Sequence, residues 1–522
     1  MFVTRIALGI LMALAIGCAP AQLQFDRLEQ MREVFARATG DGESQTPDVS
    51  ARPPSSHQLP AVTRPVSYAG YSQEFLEVKR LMAEGRFDEV ASRYEQADAK
   101  VRKQAKDEKA YVQKTGFLTF VERGTLDLAR GDFESAIEDY EGAETVLELR
   151  SDQSKFGEAG TKLFRKLKGI VVGKDEFAPY YGVGFERVLL LNGKTIAYVL
   201  RGDRKAYNVT RRAIDWQNTE KEKFEAERRE TEAKLEEKRK DGDGSVVTAV
   251  LNSLTNAYSE TEAKATTVPS AFVNPFGYYM SGMIQEFEST QDPSLRSNAL
   301  ISYQKALELN PESPVLVEAV KDMKKEGKRG AGRLVHVVAF DGFAPEKMVL
   351  DHQMALPNST LHVKLPIYEP VSSEVAVIRI TSNPGREIAS LSLVADIDAL
   401  SLRHQSDQKS KQSLDVLLTM AQTLGENFLL GDSSGGKAIS KWREANRTPD
   451  MRSWMSLPST ISAARFIAPE SVEEIQIHTY DSKGNELATR SVTLSETGPT
   501  FIFVRSIATQ MQAYASKGLW FN

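Results

Sequence analysis

Apolar residues recur at three- and four-residue intervals from about Tyr71 to Gly330, the period of helices packed on one face. Beyond Gly330 the period drops to two. Arg333–Phe340, Lys347–Leu356, Leu361–Pro366, Glu374–Ser382 and Ser390–Ile397 alternate apolar with polar and read as strands, separated by Gly, Pro and Asn. A helical period returns from roughly Asp398 to Leu430, after which Ala463–Ile467, Val472–Tyr480, Leu487–Leu494 and Phe501–Ser506 resume the strand pattern. Many short strands with turn signals between them predict a β-sandwich. The fold class expected is therefore multidomain α+β, a helical region followed by a sandwich-like region with a helical insertion near 398–430. Lys321–Arg333 is charged and glycine-rich, as a linker between cores is, so 70–330 and 333–522 are expected to fold as separate domains.

The helical region repeats one signature. Gly85-Arg86-Phe87 is followed by Val90, Tyr94 and Ala97, and Gly131-Asp132-Phe133 by Ala136, Tyr140 and Ala143. A degenerate copy has Gly202-Asp203-Arg204 with Tyr207 and Ile214, and a fourth has Ala299, Tyr303 and Ala306 closed by Asn310-Pro311. These resemble the second helix of tetratricopeptide (TPR) repeats: glycine for the tight turn, alanines for close helix approach, an aromatic between pairs. The first three glycines are 46 and 71 residues apart, so the predicted solenoid is irregular. Asn218 to Lys240 is almost wholly charged, with opposite signs at helical spacing, and predicts one exposed helix ending at Asp241-Gly242-Asp243-Gly244.

The N-terminus supplies an address. Arg5, the eleven apolar or small residues Ile6 to Ile16, then Gly17-Cys18 describe a secretory signal peptide over 1–17. The run is too short to span a bilayer, where about 20 residues are needed. Cys18, the single cysteine, makes the signal resemble the lipoprotein type, in which that thiol is acylated. Residues 18–68 hold Pro47, Pro53, Pro54, Pro60 and Pro65 with few large apolar residues, and read as a lipidated N-terminus and disordered tether. The implied location is the periplasmic side of the outer membrane. Net charge is −5, and removing Arg5 with the signal takes it to about −6, a balance that argues against a nucleic-acid partner.

Four ordered blocks carry a family resemblance. They are Gly184-Phe185-Glu186-Arg187-Val188 with Tyr198 to Asp203, Asn274 to Gly282, Asp341 to Lys347, and Arg452 to Pro458. Together they are similar to a family of TPR-containing bacterial lipoproteins encoded beside small lipoproteins that resemble the curli-secretion channel protein. The resemblance implies a place in an envelope assembly, with other envelope lipoproteins or proteins as partners, and implies no catalytic residue.

Enzymatic chemistry is weakly represented. Gly431-Asp432-Ser433-Ser434-Gly435 matches a nucleophile elbow, with Asp450 and His478 following in hydrolase order, but the strand–turn–helix context is missing. The same loop matches Gly-x-x-x-x-Gly-Lys, yet Ala438 stands where Ser or Thr should hold magnesium. The histidines His57, His336, His352, His362, His404 and His478 form no zinc spacing. Asp396 and Asp398 read as helix caps before calcium ligands. No metal or cofactor is expected. The chain reads as a non-enzymatic scaffold or assembly factor, with an enzyme or ligand-binding module for cell-wall or surface polymer as the alternative. Phe276, Tyr278 and Tyr279 are the candidate partner-binding residues, as an aromatic cluster able to line a solenoid groove.

Overall fold

The computed structural model describes residues 71–155, 179–240, 244–325, 332–356, 359–382, 385–424, 449–496, 498–516 and 518. The expected signal peptide, tether and Gly431–Ala438 loop lie outside the described residues. The fold is α+β, helical first and sheet-rich after.

Helices α1 (Tyr71–Ala83) and α2 (Phe87–Gln104), α3 (Glu108–Arg130) and α4 (Phe133–Lys155), and α5 (Gly184–Arg201) and α6 (Lys205–Lys238) form three successive hairpins. Helices α7 (Gly244–Ala257) and α8 (Ser259–Ala265) follow, then α9 (Pro275–Glu288), α10 (Arg296–Leu309) and α11 (Pro314–Lys324). The signature residues of the second and fourth copies pack as a TPR-like array requires, whereas Tyr94, Tyr207 and Ile214 are half-buried and Ala97 is exposed. Ala136, Ala143, Ala299, Ala306, Tyr140 and Tyr303 are all buried. A Cβ on Gly282 of α9 would meet the Tyr303 ring at 2.7 Å, so that ring occupies the space the glycine leaves.

Two sheets form the sandwich. One has strand order β11-β10-β1-β7-β6 and the other β5-β4-β8-β9. The members are β1 (Arg333–Asp341), β4 (Val377–Ser382), β5 (Arg386–Ser390), β6 (Ser392–Asp396), β7 (Thr460–Ala468), β8 (Glu474–Tyr480), β9 (Glu486–Thr493), β10 (Thr500–Ile507) and β11 (Gln510–Ala515). The helical insertion is α12 (Ile397–Asp407) with α13 (Lys409–Leu424). Central strands β1 and β10 run parallel and are covered on both sides. Val335, Val337, Ala339, Ile502 and Val504 face the second sheet, while Leu334, Val338, Phe340, Phe501 and Phe503 join the helices in one apolar cluster. Both strands are therefore nearly continuous apolar runs where alternation was expected.

That shared cluster changes the domain picture. Helices and first sheet bury their apolar faces against each other, and 66–522 is one compact unit. The switch near Gly330 marks a change of secondary structure inside that unit, where the helical and sheet-rich regions share one apolar cluster.

The signature glycines have a second use. Gly85, Gly131 and Gly202 all have left-handed φ, at 75°, 83° and 71°. A Cβ on each would strike, respectively, the Gln510 side chain at 2.7 Å, the Tyr514 ring at 2.6 Å and the Gly518 carbonyl oxygen at 2.6 Å. Gln510 and Tyr514 lie four residues apart on β11, about 13 Å along an extended strand. Two of the hairpin turns therefore pack on the last strand, the third meets Gly518 beyond its end, and the Tyr514 hydroxyl donates to the Ala129 carbonyl at 3.1 Å.

A smaller core forms an arm. Strands β2 (Glu346–Leu356) and β3 (Ser359–Glu369) make a separate two-stranded sheet. Met354, Leu361, Val363 and Leu365 pack there with Val246, Val250 and Leu254 of α7, Leu414, Leu417 and Met420 of α13, and Leu235 of α6. The 34-residue α6, about 50 Å long, reaches from the stacked hairpins, where Ala206, Val209 and Ala213 are buried, to this arm. Its charged half is therefore not wholly exposed. Thr231 and Leu235 are buried, and Phe224 stacks on Phe272 at 4.6 Å.

Candidate functional site

Parts of three of the blocks singled out from sequence, Glu186, Asp341 to Lys347 and Arg452 to Pro458, meet where an irregular strap crosses between the helices and the first sheet. Residues 453–459 of the strap are buried without regular secondary structure. Buried loop backbone must find partners for its donors and acceptors. Two carboxylates from neighbouring helices supply them. Glu186 of α5 accepts from the Trp454 N–H at 2.8 Å, and Glu122 of α3 accepts from Met455 at 2.8 Å and Ser456 at 3.1 Å. Both carboxylates are 1 % exposed. The Trp454 indole N–H donates to the hydroxyls of Thr125 and Ser456, each at 3.0 Å.

The sheet side completes the strap. The Asp341 carbonyl accepts from the Ser459 N–H at 2.8 Å, and the Ala344 N–H donates to Leu457 at 2.6 Å. The Lys347 ammonium donates to the Arg452 carbonyl at 2.8 Å, and the buried Arg505 guanidinium donates to the Phe340 and Ser506 carbonyls at 3.0 and 2.9 Å. Arg452 lies over the Tyr180 ring at 5.2 Å and is held in a fork by Asp450 at 2.9 Å. Tyr180 donates to Glu186 at 2.7 Å. Burial pushes the Glu186 carboxyl up, against the donors from Trp454, Tyr180 and Val183. Burial pulls the Lys347 ammonium down, with Asp450 and Glu186 opposing. The arrangement fixes one element against two others. Its polar groups serve the backbone of the chain itself.

A second buried network lies behind the candidate aromatic set. Glu286 of α9 accepts from the Arg465 guanidinium of β7 at 2.6 and 2.9 Å and from the Tyr303 hydroxyl at 2.8 Å. His336 Nε2 lies 3.2 Å from Glu286, and the Tyr279 hydroxyl 2.8 Å from His336 Nδ1. Burial works to raise the Glu286 carboxyl, but Arg465 and His336 override it and hold it well below the usual carboxylate range.

Comparison with protein-family models, curated proteins and solved structures finds no match.

The residues singled out from sequence separate under the structure. Phe276 and Tyr279 are fully buried, and Tyr278 nearly so. Phe276 packs edge-on to Phe340 at 5.7 Å, and Lys305 covers Tyr278 at 5.7 Å. The three are core, which corrects their assignment as groove residues, because α9 is the helix the first sheet lies on. Asp396 caps α12, accepting from the Ala399 N–H at 2.8 Å, and Asp398 binds Lys264 at 3.0 Å. Asp450 engages Arg452, whereas His478 of β8 bonds Thr381, Glu486 and Thr489. Ser433 and Cys18 lie outside the described residues. His352 meets Ser253 at 2.8 Å and His362 meets Asp351 at 3.0 Å. Among the described residues, no three of His, Cys, Asp or Glu are grouped as metal ligands are, and no helix is long and apolar enough to cross a membrane.

Sequence reasoning missed Glu122, Glu186 and Arg505. The available signal was a carboxylate amid apolar residues in each of two helices, Phe120-Val121-Glu122 and Gly184-Phe185-Glu186. Such a residue is buried only when something satisfies it.

Proposed function

We propose that this chain is an outer-membrane lipoprotein, anchored on the periplasmic side by acyl chains on Cys18, that acts as a protein–protein interaction scaffold or assembly factor in a cell-envelope complex. The observation that supports the scaffold reading is the strap, whose carboxylates and cations bind backbone. A catalytic centre directs such groups at a substrate. Here they hold the helical hairpins and the sandwich in one geometry, and a scaffold needs a fixed geometry before anything else.

The anchor is tested by Cys18→Ser. A lipoprotein held by two or three acyl chains resides stably on a membrane. The variant should leave the membrane fraction or accumulate as precursor. If it still sediments with membranes after a high-salt wash, the anchor reading fails. The scaffold is tested by Ser433→Ala, which should leave the envelope phenotype and the set of proteins crosslinked to the chain unchanged. Loss of phenotype from that change alone overturns the reading and points to the Gly431–Lys437 loop.

A further inference from the structure

The two edges of the arm's sheet are unlike. The Tyr368 N–H donates away from β2, to the Gln405 side chain at 2.6 Å, which fixes which backbone groups of the hairpin point outward. With the period of two, Lys364, Pro366 and Tyr368 point outward on β3, and their opposite numbers Asp351, Val349 and Lys347 point outward on β2, with Gln353 continuing that row. The β3 edge is closed to further pairing, since Pro366 lacks a donor, Gln405 takes Tyr368, and Lys364 is a charged edge residue. Along β2 the row Val349, Asp351, Gln353 holds one charge, Asp351, and neither a proline nor a side chain that takes its backbone donors among the described residues. Among the described residues, nothing outside the hairpin bonds the backbone of these three. Val349 is 42 % exposed, one of few large apolar side chains so placed.

The β2 edge is complementary to itself. Antiparallel pairing about a two-fold axis through His352 sets Asp351 opposite Gln353 of the second copy and Leu350 opposite Met354. An axis through Asp351 would oppose that carboxylate to its own copy, one through Leu350 would set Val349 against Asp351, and one through Val349 would set Asp351 against Lys347, whose ammonium is already held on the Arg452 carbonyl. We propose that β2 is a homodimer interface in which two copies join edge to edge about His352, extending each two-stranded sheet into one shared by both. The blunted β3 edges stop growth there, so the product is closed, as a two-fold isologous contact is. The inference deepens the scaffold reading by naming one partner surface, and it fails separately from it, because membrane fractionation does not read pairing.

Residue 352 would be a non-hydrogen-bonded pair with its own copy, where Cα atoms stand about 4.5 Å apart, within disulfide reach. The full chain carrying His352→Cys, oxidised in its own membrane, should give a reducible species of twice the monomer mass. The parent chain and Lys364→Cys should not. Charge supplies the second arm of the test, at an exposed position that the hairpin tolerates. Added to His352→Cys, Gln353→Lys should raise the crosslinked fraction severalfold by facing Asp351, and Gln353→Asp should lower it severalfold. The proposal is overturned if His352→Cys remains monomeric, if Lys364→Cys crosslinks as well, or if both Gln353 variants behave alike.

Discussion

The stacked body and the arm share α6 yet hold together by different means. In the body, three buried carboxylates each collect two or more donors. Glu286 alone receives Arg465, Tyr303 and His336; Glu122 takes two N–H groups of the strap, and Glu186 takes one together with Tyr180 and Val183. The arm has a small apolar core and a two-stranded sheet whose β2 edge pairs with no further strand among the described residues. A two-stranded sheet is marginal alone and leans on helices packed against it. Dense polar satisfaction makes a rigid unique joint, whereas a small apolar core makes an element that opens first.

The largest test of that contrast is Trp454→Ala. The ring is 2 % exposed and lies where helices, strap and sheet meet. Its loss should cost about 3–5 kcal/mol, and helical and sheet signals should fall at one denaturant midpoint. Two separated midpoints, one for each, would show that the helical and sheet-rich regions unfold as independent domains. Next is Arg465→Met, which strands the Glu286 carboxylate in the interior. Removing one partner of a buried pair costs about 3–5 kcal/mol, so midpoints by urea titration should shift nearly as far. A shift below about 1 kcal/mol would mean the network is slack.

Glycine substitutions sharpen the role of the last strand. Gly131→Ala meets both a left-handed φ and the Tyr514 ring at 2.6 Å, while Gly116 has φ 76° with open space around it. Strain alone costs about 1–2 kcal/mol, and the ring must also move, so Gly131→Ala should destabilise by at least about 1 kcal/mol more than Gly116→Ala. Equal losses in thermal melts would show that the turns do not bear on the strand.

Much of this was legible along the chain, and the failures have physical causes. The switch from a helical to a strand period near Gly330 marks the true change of element type, because amphipathic period is a local property. The strands β5 and β11 escaped, since Arg386–Ser390 and Gln510–Ala515 are short, edge-placed and half polar, so they show little alternation. The signature glycines were readable as turn residues. That two of them abut β11 was not, because contact between residues hundreds of positions apart leaves no periodic trace. The aromatic set misled for a related reason. Phe276, Tyr278 and Tyr279 cannot all lie on one helix face, which resembles surface decoration until β1 and α10 are seen on either side. Phe224, Thr231 and Leu235 are spaced by seven and four, a helical face sparse enough to be lost among charges.

The smallest expected effect concerns acid. His404 on α12 lies between Phe185 and Phe272, with ring centroids 5.8 and 6.0 Å away, near where body and arm meet. Burial pushes its imidazole down to about 3, with Lys347 adding to the push. The unfolded imidazole titrates near pH 6.5. A base depressed in the folded state contributes stability that is present above pH 6.5 and lost as pH falls toward 3. The slope is about 1 kcal/mol per pH unit. Buried carboxylates act oppositely. Burial lifts Asp127 to about 6 and Asp139 to about 7 against Arg130 and Arg123, so their contribution is full below about pH 4 and is lost as pH rises through those values. The whole chain therefore shows a shallow, mixed profile, and only a difference isolates the histidine. His404→Phe should flatten the acid limb between pH 6.5 and 4.5 by about 2 kcal/mol in total. Hydrogen exchange should show α12 and the arm amides of wild type opening before those of β1 and β10 as pH falls. Parallel stability profiles for wild type and variant would remove His404 from the joint, and uniform exchange across both regions would erase the contrast between body and arm.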